Sequence, residues 1–216
     1  MIIQEVNGAC KFYVREDMDT DPVVIREIWE EDVYRMEDEY LNRGGVVLDI
    51  GANIGCFSVY CASKGAQVYA VEPEPNNLEV LKKNIELNGM QDKIFVIDYG
   101  VSNFNGVAVI DNSGGGSTIK DNKPGSTIKI ISFDDLLAHF SIEEVDVLKI
   151  DIEGSEKELI LGASRESINK CNYITMEFDI RAGDSLGAMV QKLSETHHVR
   201  TMGSWERGGM IWGWRY

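Results

Sequence analysis

The sequence predicts an α/β fold in which a mostly parallel β-sheet carries helices on both faces. Short runs of β-branched and aliphatic residues alternate with longer segments whose apolar residues recur at helical spacing. Two of these runs, at residues 46–50 and 145–150, lead into acidic residues and glycine, as buried parallel strands do when they turn into a helix. The length of 216 residues suits a single domain, so we expect one domain over residues 1–216.

The composition excludes several classes of protein. Hydrophobic residues make up 44% of the chain and charged residues 26%, which is neither a disordered nor a membrane composition. A net charge of -15 with scattered basic residues disfavours a nucleic-acid partner. No apolar run approaches the roughly 20 residues that span a bilayer, and the N-terminus lacks the features of a secretion signal. The four cysteines lack metal-site spacing, so we expect a cytoplasmic protein with reduced thiols and no membrane partner.

The first part of the chain, residues 1–42, is expected to form a hairpin and a helix that cap the domain. Two short alternating stretches flank Asn7-Gly8, a sequence typical of a hairpin turn. Asp21-Pro22 has the form of a helix N-cap followed by proline at the first helical position. The apolar residues that follow at helical spacing are Ile25, Ile28, Trp29, Val33, Met36 and Tyr40.

The strand at residues 46–50 leads into a glycine-containing loop. Glycine permits a sharp turn and lets a ligand approach the backbone, and the free amides that begin the next helix attract polar or anionic groups. A dinucleotide-binding loop with G-x-G-x-x-G spacing needs a third glycine, but residue 53 is asparagine and residue 56 is cysteine. The loop alone also fits an ordinary strand-to-helix junction in some other α/β protein.

Alternating elements follow this loop. We expect helices at residues 54–64 and 75–88 and strands at residues 67–71 and 94–97. Glu72 ends the first of these strands about 20 residues after the glycine loop, where a carboxylate can accept hydrogen bonds from both hydroxyls of a ribose.

Residues 103–131 interrupt the alternation. Short alternating stretches at residues 107–110 and 127–131 flank three glycines, Gly114 to Gly116, and predict an inserted antiparallel hairpin with a mobile tip. The tip could close over a site and exclude water, or it could be a plain surface turn.

The strand at residues 145–150 ends in Asp151, Glu153 and Gly154. Its end is expected beside the glycine loop, because ligands of such sheets bind where the carboxyl ends of the strands meet and the winding direction reverses. Beyond it we expect a helix at residues 155–167, a strand at residues 173–178, and, within 181–216, a helix followed by a terminal hairpin.

On these residues the chain resembles the FkbM-like branch of the class I S-adenosylmethionine (SAM) methyltransferases over about residues 40–180. The matching stretches are VVLDIGANIGCFSVYCA, VYAVEPEPNNLEVLKKNIELN, ISFDDLL and VDVLKIDIEGSEKELILGA. The resemblance implies a Rossmann-like, seven-stranded sheet with an antiparallel last strand, and a cofactor-binding core at residues 43–180. It also implies SAM as cofactor, held by Asp49, Gly51, Ala52, Asn53, Gly55, Glu72, Pro73 and Asp98. For Asp98, an ordinary turn-forming role remains an equal alternative.

The resemblance further implies methyl transfer to a hydroxyl of a sugar or other small molecule. Asp151 then lies where related folds face the SAM methyl group, so Asp151 and Glu153 are the candidate catalytic residues. They could orient or deprotonate the acceptor, hold a divalent ion, or bond loop amides and cap the next helix. Methylation of a nitrogen, a SAM-binding domain without turnover, and a homodimer also stay open.

Overall fold

The computed structural model describes residues 1–8, 10–36, 38–41, 44–111, 118–119, 125–178, 185–204 and 208–216. Its strands are β1 (Ile2–Val6), β2 (Cys10–Val14), β3 (Val46–Ile50), β4 (Gln67–Val71), β5 (Ile94–Ile97), β6 (Gly100–Ser102), β7 (Gly106–Asp111), β8 (Thr118–Ile119), β9 (Ser126–Ser132), β10 (Val145–Ile150), β11 (Cys171–Phe178), β12 (His197–Ser204) and β13 (Gly208–Arg215). Its helices are α1 (Thr20–Trp29), α2 (Asp38–Leu41), α3 (Cys56–Lys64), α4 (Pro75–Leu87), α5 (Phe133–His139), α6 (Glu156–Gly162), α7 (Arg165–Asn169) and α8 (Ser185–Leu193).

The central sheet has seven strands in the order β12-β13-β11-β10-β3-β4-β5. The strands β5, β4, β3, β10 and β11 are parallel to one another, and β13 is antiparallel to its neighbours on both sides. This topology confirms the predicted α/β class, with a mostly parallel sheet and an antiparallel last strand. The winding direction reverses between β3 and β10, so the predicted ligand edge lies at the ends of these two strands.

Two apolar cores cover the two faces of the sheet. One packs α1, α3 and α4 against residues such as Val47 and Val147, and the other packs α5 to α8 against residues such as Leu48 and Leu148. Alternate residues of β3 and β10 therefore enter different cores, as the pleat of a strand requires. Burial on both faces explains why these strands have the near-continuous apolar sequences that predicted them.

The predicted N-terminal hairpin is confirmed as the β1–β2 pair, with Asn7 and Gly8 at positive φ in the turn. The helix that follows is shorter than predicted. It spans Thr20–Trp29 instead of continuing to Tyr40, and it begins before Asp21. Asp21 is no cap, because its buried carboxylate accepts hydrogen bonds from the backbone and guanidinium of Arg15.

A tertiary contact explains why the chain leaves the helix after Trp29. The hydroxyl of Tyr173 donates to the backbone carbonyls of Tyr34 and Arg35, at 3.0 and 3.2 Å. Arg35 and Asp32 both adopt positive φ. These contacts favour a non-helical segment over the helix that the apolar spacing predicted, since tertiary context can outweigh local propensity.

The inserted hairpin is confirmed as the antiparallel pair β7–β9, and it is part of a larger sheet in the order β6-β9-β7-β8. The tip at Gly114 to Gly116 lies outside the described residues.

The predicted helix at residues 155–167 is wrong in one respect: it is two helices, α6 and α7, separated at Ala163 and Ser164. Ser164 caps α7 by accepting from the Ser167 amide, while its own amide donates to Asp134.

None of the helices in the described ranges is long and apolar enough to cross a membrane. The division into a cap at residues 1–42, a core at 43–180 and a C-terminal part at 181–216 remains a prediction.

Candidate functional site

The glycine loop after β3 approaches the end of β10 very closely. Gly51 has φ +83°, and a Cβ atom added there would lie 1.8 Å from the carbonyl oxygen of Asp151. The amides of Gly51 and Ala52 both donate to the carbonyl of Val71, at 2.9 and 3.0 Å. Gly55 has φ +89°, and its added Cβ would lie 2.5 Å from a side-chain carbon of Leu81. The loop is therefore held against β4, β10 and α4 at positions that only glycine fits.

Glu72, at the end of β4, is bonded to the same loop. One carboxylate oxygen accepts from the amide of Asn53 and the other from the amide of Glu74, each at 2.8 Å. Burial raises the pKa of Glu72 to about 7, although these amide hydrogen bonds and one from Asn77 oppose the shift. The side-chain oxygen of Asn53 is buried without a hydrogen-bond partner in the described structure. The loop and the tip of β4 thus combine a carboxylate with an unsatisfied acceptor.

Two spaces share Pro73 as a wall, and one of them adjoins the glycine loop at Gly51. One is a narrow apolar cavity of about 40 Å³, enough for about one water molecule, beneath the inserted sheet. Its walls are Ile50, Gly51, Val71, Pro73, Tyr99, Gly100, Val101, Ile110, Ile128, Ile130, Ile152 and Ser155. The other is an open cleft of about 410 Å³ between α4 and β9, and the exposed side chain of Asp98 lines it. Asp98 therefore borders a cleft next to the loop and does not lie within it.

Asp49 is fully buried below the loop. Its Oδ2 accepts a hydrogen bond from Ser58 at 2.6 Å, and its Oδ1 lies 3.3 Å from the ammonium of Lys149 on the neighbouring strand. Lys149 also donates to the carbonyl of Gly51 at 2.6 Å and lies 3.5 Å from Oδ2 of Asp151. Lys149 therefore links the buried carboxylate of Asp49 to the backbone of the glycine loop.

The sequence analysis did not single out Lys149, although a lysine inside an apolar strand run was a signal that could have found it. Only 4% of its side chain is exposed. Burial by itself lowers the pKa of Lys149, but the negative charges of Asp49 and Asp151 outweigh that effect and raise its pKa above the usual value. Lys149 is therefore a buried, charged link between the loop and the end of β10.

Asp151, where β10 ends, is held by two donors. The hydroxyl of Tyr34 donates to its Oδ2 at 3.0 Å, and Lys149 approaches the same oxygen. The side chain of Asp151 is 28% exposed, so it also reaches solvent at the mouth of the site. Tyr34 is a second residue that the sequence analysis missed, and nothing in its local pattern separates it from an ordinary apolar position.

The loop that follows Asp151 is bound by Glu156, an acid that the sequence analysis did not single out. Glu156, buried at the start of α6, accepts hydrogen bonds from the amides of Ile152 and Gly154 at 3.0 to 3.1 Å. Glu153 adopts positive φ in this loop. Glu156 thus binds amides of this loop, which is a role that the sequence analysis offered as an alternative for Asp151 and Glu153.

The charge of Asp151 contributes to the raised pKa of two other carboxylates, those of Glu177 and Glu27. Partial burial, followed by the charges of Asp151 and Glu153, raises the pKa of Glu177 on β11 to about 7. Burial and the charges of Glu31 and Asp151 raise the pKa of Glu27 on α1. Among the described residues, no group of three or more histidine, cysteine, aspartate or glutamate side chains is placed to hold a metal ion.

A model of the methyltransferase FkbM domain matches residues 49–202 of the chain, which include the glycine loop, the inserted sheet and Asp151. The chain belongs to the FkbM methyltransferase family. The match begins at Asp49, so β1, β2, α1, α2 and Tyr34 lie ahead of it.

Two curated relatives of this FkbM-family methyltransferase are similar over most of its length. The hexuronic acid methyltransferase AglP of Haloferax volcanii is 31% identical over 205 residues, which cover 90% of this chain and 80% of AglP. The 31-O-demethyl-FK506 methyltransferase FkbM of Streptomyces tacrolimicus is 27% identical over 172 residues, covering 63% of this chain and 66% of that protein.

Two solved structures share the fold. The methyltransferase FkbM of Methylobacillus flagellatus has a TM-score of 0.59 at 19% identity, covering 88% of this chain and 47% of that chain. The structure of M. capricolum TrmK in complex with S-adenosyl-homocysteine has a TM-score of 0.51 at 12% identity, covering 82% of this chain and 65% of that chain. At these identities the likeness shows the fold alone.

Proposed function

We propose that this methyltransferase takes its methyl group from SAM and transfers it to a hydroxyl oxygen of a sugar or other small molecule. The observation that carries the proposal is the group formed by Asp49, Lys149 and Asp151, in which one buried ammonium joins the glycine loop to a partly exposed acid. Such a link fixes the loop that holds the methyl donor relative to the acid that meets the acceptor. Alignment of this kind supplies much of the catalysis in a displacement reaction.

The residues around the loop fit SAM. The groups that would hold it are Gly51, Ala52, Asn53, Gly55, Glu72, Pro73 and Asp98, while the fully buried Asp49 would act through Lys149, which binds the Gly51 carbonyl. In support, glycine allows close approach at residue 51, the buried oxygen of Asn53 has unused acceptor capacity, and a cleft of about 410 Å³ is lined by Pro73 and Asp98. When bound, SAM supplies a methyl group on a positively charged sulfonium.

Asp151 is the proposed base, because it is the acid at the carboxyl end of β10 that reaches solvent while held by protein donors. It orients the acceptor hydroxyl and accepts its proton as the oxygen–carbon bond forms and the sulfur–carbon bond breaks. Glu153 follows in the same loop and is proposed to lie on the acceptor side. The names of the relatives AglP and FkbM support a sugar or natural-product acceptor and transfer to oxygen.

Binding and transfer can be tested in two steps. Calorimetry with SAM, NAD and NADP should give binding for SAM alone. Labelled methyl transfer to a panel of sugars, uronic acids and amino sugars should then place the methyl group on oxygen. Failure to bind SAM, or label found on nitrogen, would contradict the proposal.

Replacement of Asp151 by asparagine tests the proposed base. Asp151→Asn should retain SAM binding and lose turnover by about 100-fold, the scale of a positioned acid-base group. The control is Asp146→Asn at the start of the same strand, where the carboxylate accepts from the Val46 amide and the Asn172 side chain. Full turnover in Asp151→Asn would assign the proton transfer to another group.

A further inference from the structure

The N-terminal segment ahead of the matched family region reaches the catalytic end of the sheet. Residues 30–36 leave α1 and cross the face of the sheet, where Tyr173 on β11 holds the carbonyls of Tyr34 and Arg35. The ring of Tyr34 packs edge-on against Phe57 of α3, with ring centroids 5.2 Å apart. Two elements of the core therefore fix the position of Tyr34, which is buried.

The hydroxyl of this fixed tyrosine points at the acid that the proposed function uses. It donates to Oδ2 of Asp151 at 3.0 Å, and Lys149 lies 3.5 Å from the same oxygen. The ammonium of Lys149 also lies 5.6 Å from the centre of the Tyr34 ring, within range of a cation–π interaction. Tyr34 and Lys149 thus approach one oxygen of Asp151 from different elements of the fold.

We propose that Tyr34 is a positioning residue of the active site, which holds Oδ2 of Asp151 so that Oδ1 meets the acceptor hydroxyl. The inference rests on the proposed function and adds that residues ahead of the matched family region complete the acceptor side. Two donors on one oxygen fix the rotation of the carboxylate, and a donor to the ionised form favours the state that accepts a proton.

Tyr34 acts as a donor and not as the base itself. Burial, and then the charge of Asp151, raise the pKa of Tyr34 well above its ordinary value, so the hydroxyl keeps its proton at neutral pH. The hydrogen bond therefore runs from Tyr34 to Asp151 throughout the range in which the enzyme would work.

The charged groups near Asp151 come from several elements of the fold. Lys149 on β10 is a cation, and the anions come from α1, β3, the loop after β10, α6 and β11: Glu27, Asp49, Glu153, Glu156 and Glu177. With so many neighbouring carboxylates, the donors Tyr34 and Lys149 are the groups that stabilise the ionised acid. Loss of the Tyr34 donor should therefore lower turnover more at low pH than at high pH.

The test is Tyr34→Phe in the full chain, measured with the acceptor that the panel identifies. One hydrogen bond to a charged group corresponds to about tenfold, so kcat should fall about tenfold or more while the Kd for SAM and the KM for the acceptor change little. The acidic limb of the kcat profile should move to higher pH. The control is Tyr216→Phe, which removes a hydroxyl that donates to the carbonyl of Ser194 at 3.0 Å, and it should leave kcat and the limb unchanged.

Each result decides the matter. An unchanged kcat in Tyr34→Phe, or a loss of kcat with the acidic limb in place, overturns the positioning role. The positioning role is also overturned if the fall in kcat is no larger than the loss of SAM affinity or of folded protein. In that case the Tyr34 hydroxyl would only stabilise the structure. If Asp151→Asn is fully active, the proposed base fails independently of Tyr34, so the two failures are distinguishable.

Discussion

Replacing Lys149 with methionine would remove the cation that lies between Asp49 and Asp151. Methionine keeps a similar length and suits an apolar strand, so the change removes charge more than volume. Asp49 is fully buried and its Oδ1 has no hydrogen bond in the described structure, which leaves Lys149 as its nearby counter-charge. The carbonyl of Gly51 would also lose its 2.6 Å donor.

The distances set the scale of the effect. At an effective dielectric constant of about 20, unit charges 3.3 or 3.5 Å apart attract by about 5 kcal/mol each, and the second pair is weaker because Asp151 reaches water. The cost of desolvating the ions offsets much of this attraction, but removal of one partner leaves the other charge buried and costs about 3–5 kcal/mol. Ordinary domains are stable by only about 5–15 kcal/mol, so this cost is a large fraction of the total.

Urea unfolding of the protein without SAM would measure this cost. The control is Lys83→Met, because Lys83 makes an exposed pair with Glu79 at 2.6 Å that water screens, so its loss should change stability little. A double variant with Asp49→Asn should lose less stability than the sum of the single variants, by at least about 1 kcal/mol. If Lys149→Met costs no more than Lys83→Met, or if the two changes at the site add, the buried charge link has been misjudged.

Two further results are expected. Gly51→Ala should destabilise the fold by at least about 2 kcal/mol, because residue 51 has positive φ and the new methyl would meet the Asp151 carbonyl; Gly187→Ala, in α8 with nothing within 4 Å of its added Cβ, should instead stabilise by about 0.5–1 kcal/mol. Equal melting shifts in the two variants would contradict this account. Glu72→Ala should weaken SAM binding at least tenfold, because each charge-assisted hydrogen bond is worth about 1.5–3 kcal/mol. Because burial raises the pKa of Glu72 from 4.5 to about 7, its contribution to stability is present below pH 4.5 and is lost as the pH rises through about 7. The free energy of unfolding without ligand should therefore fall between pH 5 and pH 8, as urea titrations would measure, with about 1.4 kcal/mol for each unit of pKa shift as an upper limit. Glu72→Gln should flatten that slope, and an unchanged slope would mean that Glu72 does not cause it.

The parts of the fold that could be predicted from the sequence are those whose neighbours leave a local signal. The strands β3 and β10 are buried on both faces, so their burial shows as an apolar run that stops at the glycine loop and at Asp151. The turn of the hairpin β1–β2 is predicted by two adjacent residues, Asn7 and Gly8. The apolar spacing gave a wrong prediction where a side chain distant in the sequence determines the backbone conformation. An example is Tyr173, which binds a backbone carbonyl in the segment after α1.

The candidate site divides in the same way. The glycine loop, Glu72 and Asp151 lie at strand ends, where topology alone brings them to one edge, so their sequence positions predicted their neighbourhood. The contact of Tyr34 with Asp151 joins residues 117 positions apart, and no local pattern records it. Lys149 left a trace as a lysine among apolar neighbours, but its two partners depend on the alignment of β3 with β10.

That alignment has a consequence for how the sheet assembles. Asp49 pairs directly with Lys149 across β3 and β10, and both side chains project into the core formed with α1, α3 and α4. A slip of one residue would send one of the two charges into the opposite apolar core, away from the other, while costing the aliphatic neighbours little. The apolar residues of β3 and β10 would allow more than one alignment of the two strands. The opposite charges of Asp49 and Lys149 favour the alignment in which they are paired. The pair formed by Asp49 and Lys149 would thus favour the correct pairing of two distant strands as the chain folds, before any substrate binds.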